Sequence, residues 1–233
     1  MKDLNALWMA RVDWFDPEGR EQQIKDYIAL GNHLIWQRQA SFLAAAVLAM
    51  IYFDPILTLI CYTSVVLTEV LDQMLGRQSK AWGGQDPVAG RRILKRIALN
   101  TAISATAISV FITSIAVQQT TGGHFTPLFF LFSASLFAAM YNSQIFGILL
   151  LRLTIYAFAF FYIALLNVLR YSPPLSSRIW LEFFTIIFVV YFIVDISRKF
   201  YLSYQERLEQ MKLIKEENER TKAALVLFLD QFH

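Results

Sequence analysis

Four ionisable side chains stand inside apolar stretches of this sequence: Glu69, Asp72, Arg152 and Glu182. Charge in an apolar segment is costly, so such residues face a protein interior, pair with one another or mark a functional site. Counted along helices at about 1.5 Å per residue, Arg152 and Glu69 fall at similar depth, roughly 10 Å from one end of their segments. An Arg152 to Glu69 pair is therefore geometrically permitted. Glu182 belongs to the opposite half of its segment, too distant in depth to be the natural partner of Arg152. These three residues, Glu182, Arg152 and Glu69, are the candidate sensing groups, placed where a ligand, ion or proton could alter them. The plainer uses are a structural pair for Arg152 and a snorkelling interfacial carboxylate for Glu182.

Catalytic chemistry has little to work with. The three histidines, His33, His124 and His233, are far apart in the chain, and the expected topology puts His33 and His124 on opposite sides of a membrane. No metal or haem site can be assembled from them within one subunit, no cofactor is implied, and neither a P-loop nor a nucleophile motif is present. No catalytic residue is assigned. Cys61, the lone cysteine, reads as a small buried hydrophobe.

The elements that must carry these residues follow from composition. With 56% hydrophobic and 17% charged residues, the chain is more apolar than a soluble domain, in which about a quarter of residues are charged. The expected class is an all-α polytopic membrane protein. A spanning helix needs about 20 mostly apolar residues, and six stretches qualify: about 34 to 53, 55 to 75, 93 to 117, 127 to 140, 145 to 168 and 176 to 195. Asp54-Pro55 separates the first two, Gly76 ends the second, and QQTTGGHFTP separates the third from the short fourth. If the fourth and fifth form one broken element, the spans number five. Between the second and third lie Arg77, Lys80, Arg91, Arg92, Lys95 and Arg96 against the single acid Asp86, which makes that loop and both termini cytoplasmic. Arg170 and Arg178 beside the last outer loop run against this rule. In the third span, Asn100, Ser104 and Ser109 drift along one face and suit close helix packing.

From Leu175 to His233 there is neither Gly nor Pro, so the sixth span is expected to leave the membrane as one unbroken helix. Past Arg198 and Lys199 a heptad places Tyr204, Met211, Asn218, Leu225 and Phe232 at a, with Arg207, Ile214, Thr221 and Phe228 at d. Met211, Ile214, Asn218, Leu225, Phe228 and Phe232 form the expected seam of a parallel homodimer, since Asn at an a position fixes register. A second register, with Leu208, Lys215, Lys222 and Leu229 at a, is nearly as good. Two near-equal registers are what a bistable signalling element needs.

The segment SRKFYLSYQERLEQMKLIKEENERTKAALVLFLDQFH resembles the helix by which the membrane input regions of bacterial sensor proteins lead into PAS, histidine kinase or diguanylate cyclase modules. The resemblance covers about the last fifth of the chain. It implies residence in the bacterial inner membrane and a cytoplasmic signalling output domain, attached or separate, of the kinase or cyclic di-GMP type. No GGDEF, EAL or ATP-binding motif is present, so any enzyme would be a regulated partner. His233 lacks the sequence context of a phosphoacceptor. The runner-up function is a small transporter or permease-like subunit, disfavoured because Gly and Pro fall mostly in loops.

The domain plan is thus a cytoplasmic N-terminal segment (1–33), a six-helix sensory bundle (34–195) and a cytoplasmic signalling helix (196–233). In the first segment, Asp16 is a plausible N-cap with Pro17 at the first helical position. Ile24, Tyr27, Ile28, Leu30 and Leu34 make an apolar stripe, and Trp8, Trp14 and Trp36 suit headgroups. This reads as an interfacial amphipathic helix, or as a contact surface for the emerging last helix. The net charge of +3 reflects basic membrane flanks and offers no case for nucleic acid.

Overall fold

The computed structural model describes residues 21–80, 82, 86–119 and 123–230, without the side chains of 32, 80, 167, 178 and 224–230. The described residues form seven α-helices and no strand: α1 Glu21–His33, α2 Ile35–Tyr52, α3 Pro55–Lys80, α4 Pro87–Gln118, α5 Phe125–Tyr141, α6 Phe146–Tyr171 and α7 Arg178–Asp230. The expected cap at Asp16 and Pro17, Trp8, Trp14, Phe232 and His233 lie outside the described residues.

Local chemistry sets the breaks. Asp54 ends the run of α2 and starts α3: its Oδ1 accepts from the N–H groups of Ile56 (2.8 Å) and Leu57 (3.0 Å), and Pro55 needs no donor partner in the first turn. Asp86-Pro87 repeats the device, with Oδ1 accepting from Val88 (2.9 Å) and Ala89 (3.2 Å). This cap starts α4 at Pro87, ahead of the apolar stretch that begins near 93. Nor does Gly76 end its helix; α3 runs on to Lys80, because a helical glycine costs only about 1 kcal/mol. Ser172, with φ 39°, closes α6 in the left-handed conformation before Pro173 and Pro174.

Helices α2 to α7 run up and down, each packed on a chain neighbour or the next but one, with α4 meeting α3 and α6 most extensively. Their shared core includes Phe111, Ile112, Ile115, Leu131, Leu149, Tyr156, Phe160 and Ile163. Of the expected polar face of α4, Asn100 and Ser109 are buried and Ser104 is half-buried, in keeping with close packing by small polar residues. Four helices, α3, α4, α6 and α7, are long and apolar enough to cross a membrane. Counting α1 and α2, bent by 50°, as one span makes five; α5 is apolar but has 17 residues, about 25 Å of helix.

At one end of the bundle a second core forms. Ile24, Tyr27 and Ile28 of α1 pack with Trp82, with Leu94 and Ile97 of α4, and with Ile145 and Ile148 at the start of α6. Ile24, Tyr27 and Ile28 of the apolar stripe are therefore covered by the protein's own helices, while Leu30 and Leu34 are half-buried. The turn Asn142-Ser143-Gln144 between α5 and α6 is buried, its Asn142 Nδ2 donating to Ala138 O at 2.9 Å. We call this the α1 end, and the end bearing Asp54, Gly123 and Ser172 the far end.

At the far end Arg170 has a structural use. Its guanidinium donates to the carbonyls of Val117 (2.9 Å) and Gln119 (3.2 Å), the C-terminal acceptors of α4 that no helical N–H can reach. The cation that runs against the charge rule is thus a helix cap.

Candidate functional site

The ionisable residues of the bundle gather at two places, joined by α7. The first is a polar cluster toward the α1 end. Arg38, one turn into α2, makes an ion pair with Glu69 of α3, and the two side chains are only 11% and 13% exposed. Gln39 Nε2 donates to the other Glu69 oxygen at 3.1 Å. Arg38 also lies 3.8 Å from Asp72, whose Oδ1 accepts from Asn100 Nδ2 at 3.0 Å. Both acids of α3 are therefore held by α2 and α4.

Arg152 of α6 faces the same small cavity, of about 20 Å³, as Arg38, Glu69 and Asp72. The sequence-level pairing with Glu69 is taken instead by Arg38. Arg152 is 8% exposed, and its Nε has no hydrogen-bond partner in the protein. A cavity of this size has room for one water molecule, which such a donor requires. Two acids and two guanidiniums around one enclosed space balance in charge, and the ion pairs and hydrogen bonds to Glu69 and Asp72 fix α2, α3 and α4 to one another. Arg38 was legible as a site residue on the same ground as Arg152, an arginine inside an apolar span that needs a counter-charge.

The second place is a cavity of about 700 Å³ between α5, α6 and α7 toward the far end. Glu182 lies on its wall, together with His124, five phenylalanines and aliphatic side chains of α6 and α7. The carboxylate rests against the backbone at Gly123, where a Cβ would stand 3.5 Å from Oε1. His124, at the start of α5, is 3% exposed. Glu182 is thus separated from Arg152 and Glu69, as depth counting indicated, and it belongs to a cavity that the sequence did not reveal.

Helix α7 continues from this cavity past the α1 end. Ile186 and Ile193 join the bundle core and Ser197 is buried; the Tyr201 ring packs against Phe146, centroids 5.1 Å apart and planes tilted by 50°. Tyr204 then donates its hydroxyl to Asp26 of α1 at 2.8 Å, and Leu208 is buried. Burial, followed by the neighbouring Asp26 carboxylate, raises the Tyr204 hydroxyl above its ordinary pKa. Beyond this grip the helix is open: Met211 and Ile214 are 50% and 61% exposed, and Asn218 is exposed. The side chains of Leu225 and Phe228 lie outside the described set.

Among the described residues, no group of three or more His, Cys, Asp or Glu is placed to hold a metal ion. No protein-family model, curated protein or solved structure matches the chain.

Proposed function

We propose that this chain is a transmembrane sensory input module whose last helix passes a change in the bundle to a cytoplasmic output module of the PAS, cyclic di-GMP or kinase type. The observation that carries the reading is α7: one helix of 53 residues, about 80 Å long, lines a large cavity at one end and projects beyond the bundle at the other. Hydrocarbon thickness accounts for about 30 Å of that length. A module that only needed a sixth span would have no use for the remainder.

In this reading α2 to α7 are six spans in the bacterial inner membrane, with the α1 end and both termini in the cytoplasm. The basic residues at the end of α3 and in the first turns of α4, Arg77, Lys80, Arg91, Arg92, Lys95 and Arg96, support that orientation. The heptad also supports transmission. Val190, Ser197 and Tyr204, which meet the bundle or α1, are seven residues apart and in phase with Met211, Asn218 and Leu225. A turn or slide of α7 against α5 and α6 is therefore carried to the seam along one continuous helix. A straight helix drifts about 20° per heptad, so by Leu225 the seam has turned about 60° from the face at Tyr204. Because Tyr204 and Leu208 are engaged within the chain, parallel pairing starts at Met211.

Single cysteines replacing Ser203 and Ser172 in a Cys61→Ser background test the orientation with a membrane-impermeant maleimide. Labelling at 172 in intact cells, and at 203 only after permeabilisation, agrees with the proposal. The reverse pattern would place the projecting helix outside and remove the link to a cytoplasmic output.

A further inference from the structure

The exposed faces of α3 and α4 change character at one shared level. Asn100 Nδ2 donates to Asp72 at 3.0 Å and Arg96 Nη1 to Gln78 at 3.0 Å, so the helices lie antiparallel, with Met74 level with Leu99 and Arg77 close to the level of Arg96. Toward the far end from that level both helices expose apolar side chains, Val70, Leu71 and Met74 on α3 and Leu99 and Ile103 on α4. Toward the α1 end they expose Arg77, Arg91, Arg92, Lys95 and Arg96. Helix length gives the same boundary. Hydrocarbon takes about 20 helical residues, which counted from the far-end limits Pro55 and Gln118 reach Met74 on α3 and Leu99 on α4. Lys95 and Arg96 then stand about 5 Å outside the hydrocarbon, inside a headgroup layer of about 5–8 Å, with Arg91 and Arg92 one turn further out. Among the described residues none of the five cations makes an ion pair with an acid. Asp86, the one acid in the sequence between Asp72 and Glu182, has its Oδ1 engaged in the cap of α4.

We propose that this face of α3 and α4 binds an anionic phospholipid, its phosphate held by Lys95 and Arg96 with Arg77 beside them, and its acyl chains lying along Leu71, Met74 and Leu99. Guanidinium groups offer phosphate oxygens paired, charge-assisted hydrogen bonds. Each Lys or Arg at such a border favours anionic lipid by about fivefold. A soluble phosphate compound would meet the cations but gain nothing from the apolar half of the face. A zwitterionic lipid would cover the apolar half but bring an ammonium group toward the cations. The inference rests on α3 and α4 crossing the membrane, and needs neither the sensory reading nor a choice of which side the α1 end occupies.

Local quenching tests it in the full chain. A small fluorophore on Ile103→Cys in a Cys61→Ser background reports the lipid one turn deeper on the same stripe, and one on Val194→Cys reports the lipid on exposed α7, where Lys199 is paired with Asp195 at 2.7 Å. Each protein is reconstituted in phosphatidylcholine, and phosphatidylglycerol or phosphatidylcholine with brominated chains is added in steps. At 103, half-quenching by the brominated phosphatidylglycerol is expected at a mole fraction about fivefold lower than by the brominated phosphatidylcholine; at 194 the two should agree within about twofold. The preference at 103 should fall as salt is raised from about 0.01 M to about 1 M, which shortens the Debye length from about 30 Å to about 3 Å. Lys95→Gln with Arg96→Gln should remove it, whereas Arg198→Gln with Lys199→Gln, the same loss of charge on α7, should leave it unchanged. Equal quenching by the two lipids at 103 would overturn the site, and so would an equal preference at 103 and 194, which needs no charge variant to fold. Loss of the preference on adding soluble glycerol phosphate at constant ionic strength would assign the face to free phosphate compounds and overturn the lipid.

Discussion

Replacing Arg38 by Met should destabilise the bundle far more than replacing Arg152 by Met, although both are arginines in apolar helices around one cavity. Arg38 is paired with Glu69 and lies 3.8 Å from Asp72, with 11% of its side chain exposed. Its removal leaves two largely enclosed carboxylates with amide donors alone, from Gln39 and Asn100. Losing one partner of a buried ion pair costs about 3–5 kcal/mol. Arg152 makes no such pair, and its Nε lacks a protein acceptor, so Arg152→Met should cost less than about 1.5 kcal/mol. A double-mutant cycle separates the two. Arg38→Met with Glu69→Gln should show a coupling of about 1.5–3 kcal/mol, against about 0.5 kcal/mol or less for Arg152→Met with Glu69→Gln. Reversible unfolding in mixed micelles, followed by helical circular dichroism, gives all the required free energies. A larger coupling for Arg152 than for Arg38 would refute the partner assignment, and with it the account of how α2 is fixed to α3.

Three further outcomes are expected. Asp86→Ala removes the cap that accepts from Val88 and Ala89 and should cost about 0.5–2 kcal/mol in the same assay; a loss under 0.3 kcal/mol would show that Pro87 alone sets the start of α4. The raised pKa of Tyr204 means that the folded chain holds this proton more tightly than the unfolded chain does, so its contribution is intact below pH 10.0 and declines as pH rises further. Tyrosinate absorbance during alkaline titration should show one hydroxyl ionising earlier in Asp26→Asn than in wild type, and superimposable curves would contradict the contact. Arg170→Gln should loosen the far end by about 1 kcal/mol, the scale of a lost C-terminal cap, with faster hydrogen exchange at the end of α4 as its local sign.

Much of the helix order was legible because lipid-length apolar runs and Asp-Pro or Gly-rich breaks are local signals. Asp54-Pro55 and the unbroken run after Leu175 read correctly for that reason, and the structure shows α7 continuous to Asp230. Boundaries set by capping were less visible: Asp86-Pro87 starts α4 before the apolar run begins, and Gly76 is absorbed into α3. Pairing within the bundle lay beyond depth counting, which can match Arg152 to Glu69 but cannot say that α2 brings Arg38 to the same level. Packing also decides the use of α1, whose amphipathic stripe fits a membrane surface and a protein core equally well until Leu94, Ile97 and Ile148 are seen to cover it. A cavity has no periodicity, so the surroundings of Glu182 could not be read from the chain.

Self-crosslinking along α7 in native membranes tests the central proposal most directly. Single cysteines at Met211, Ile214, Asn218 and Leu225, in a Cys61→Ser background, report which face two copies share. Strong crosslinks at 211, 218 and 225, weaker at 214, are the predicted pattern for a parallel pair in the register that continues the bundle-facing stripe. Absence of crosslinks at all four positions would contradict a paired signalling helix and favour α7 as an assembly helix of a transporter-like subunit.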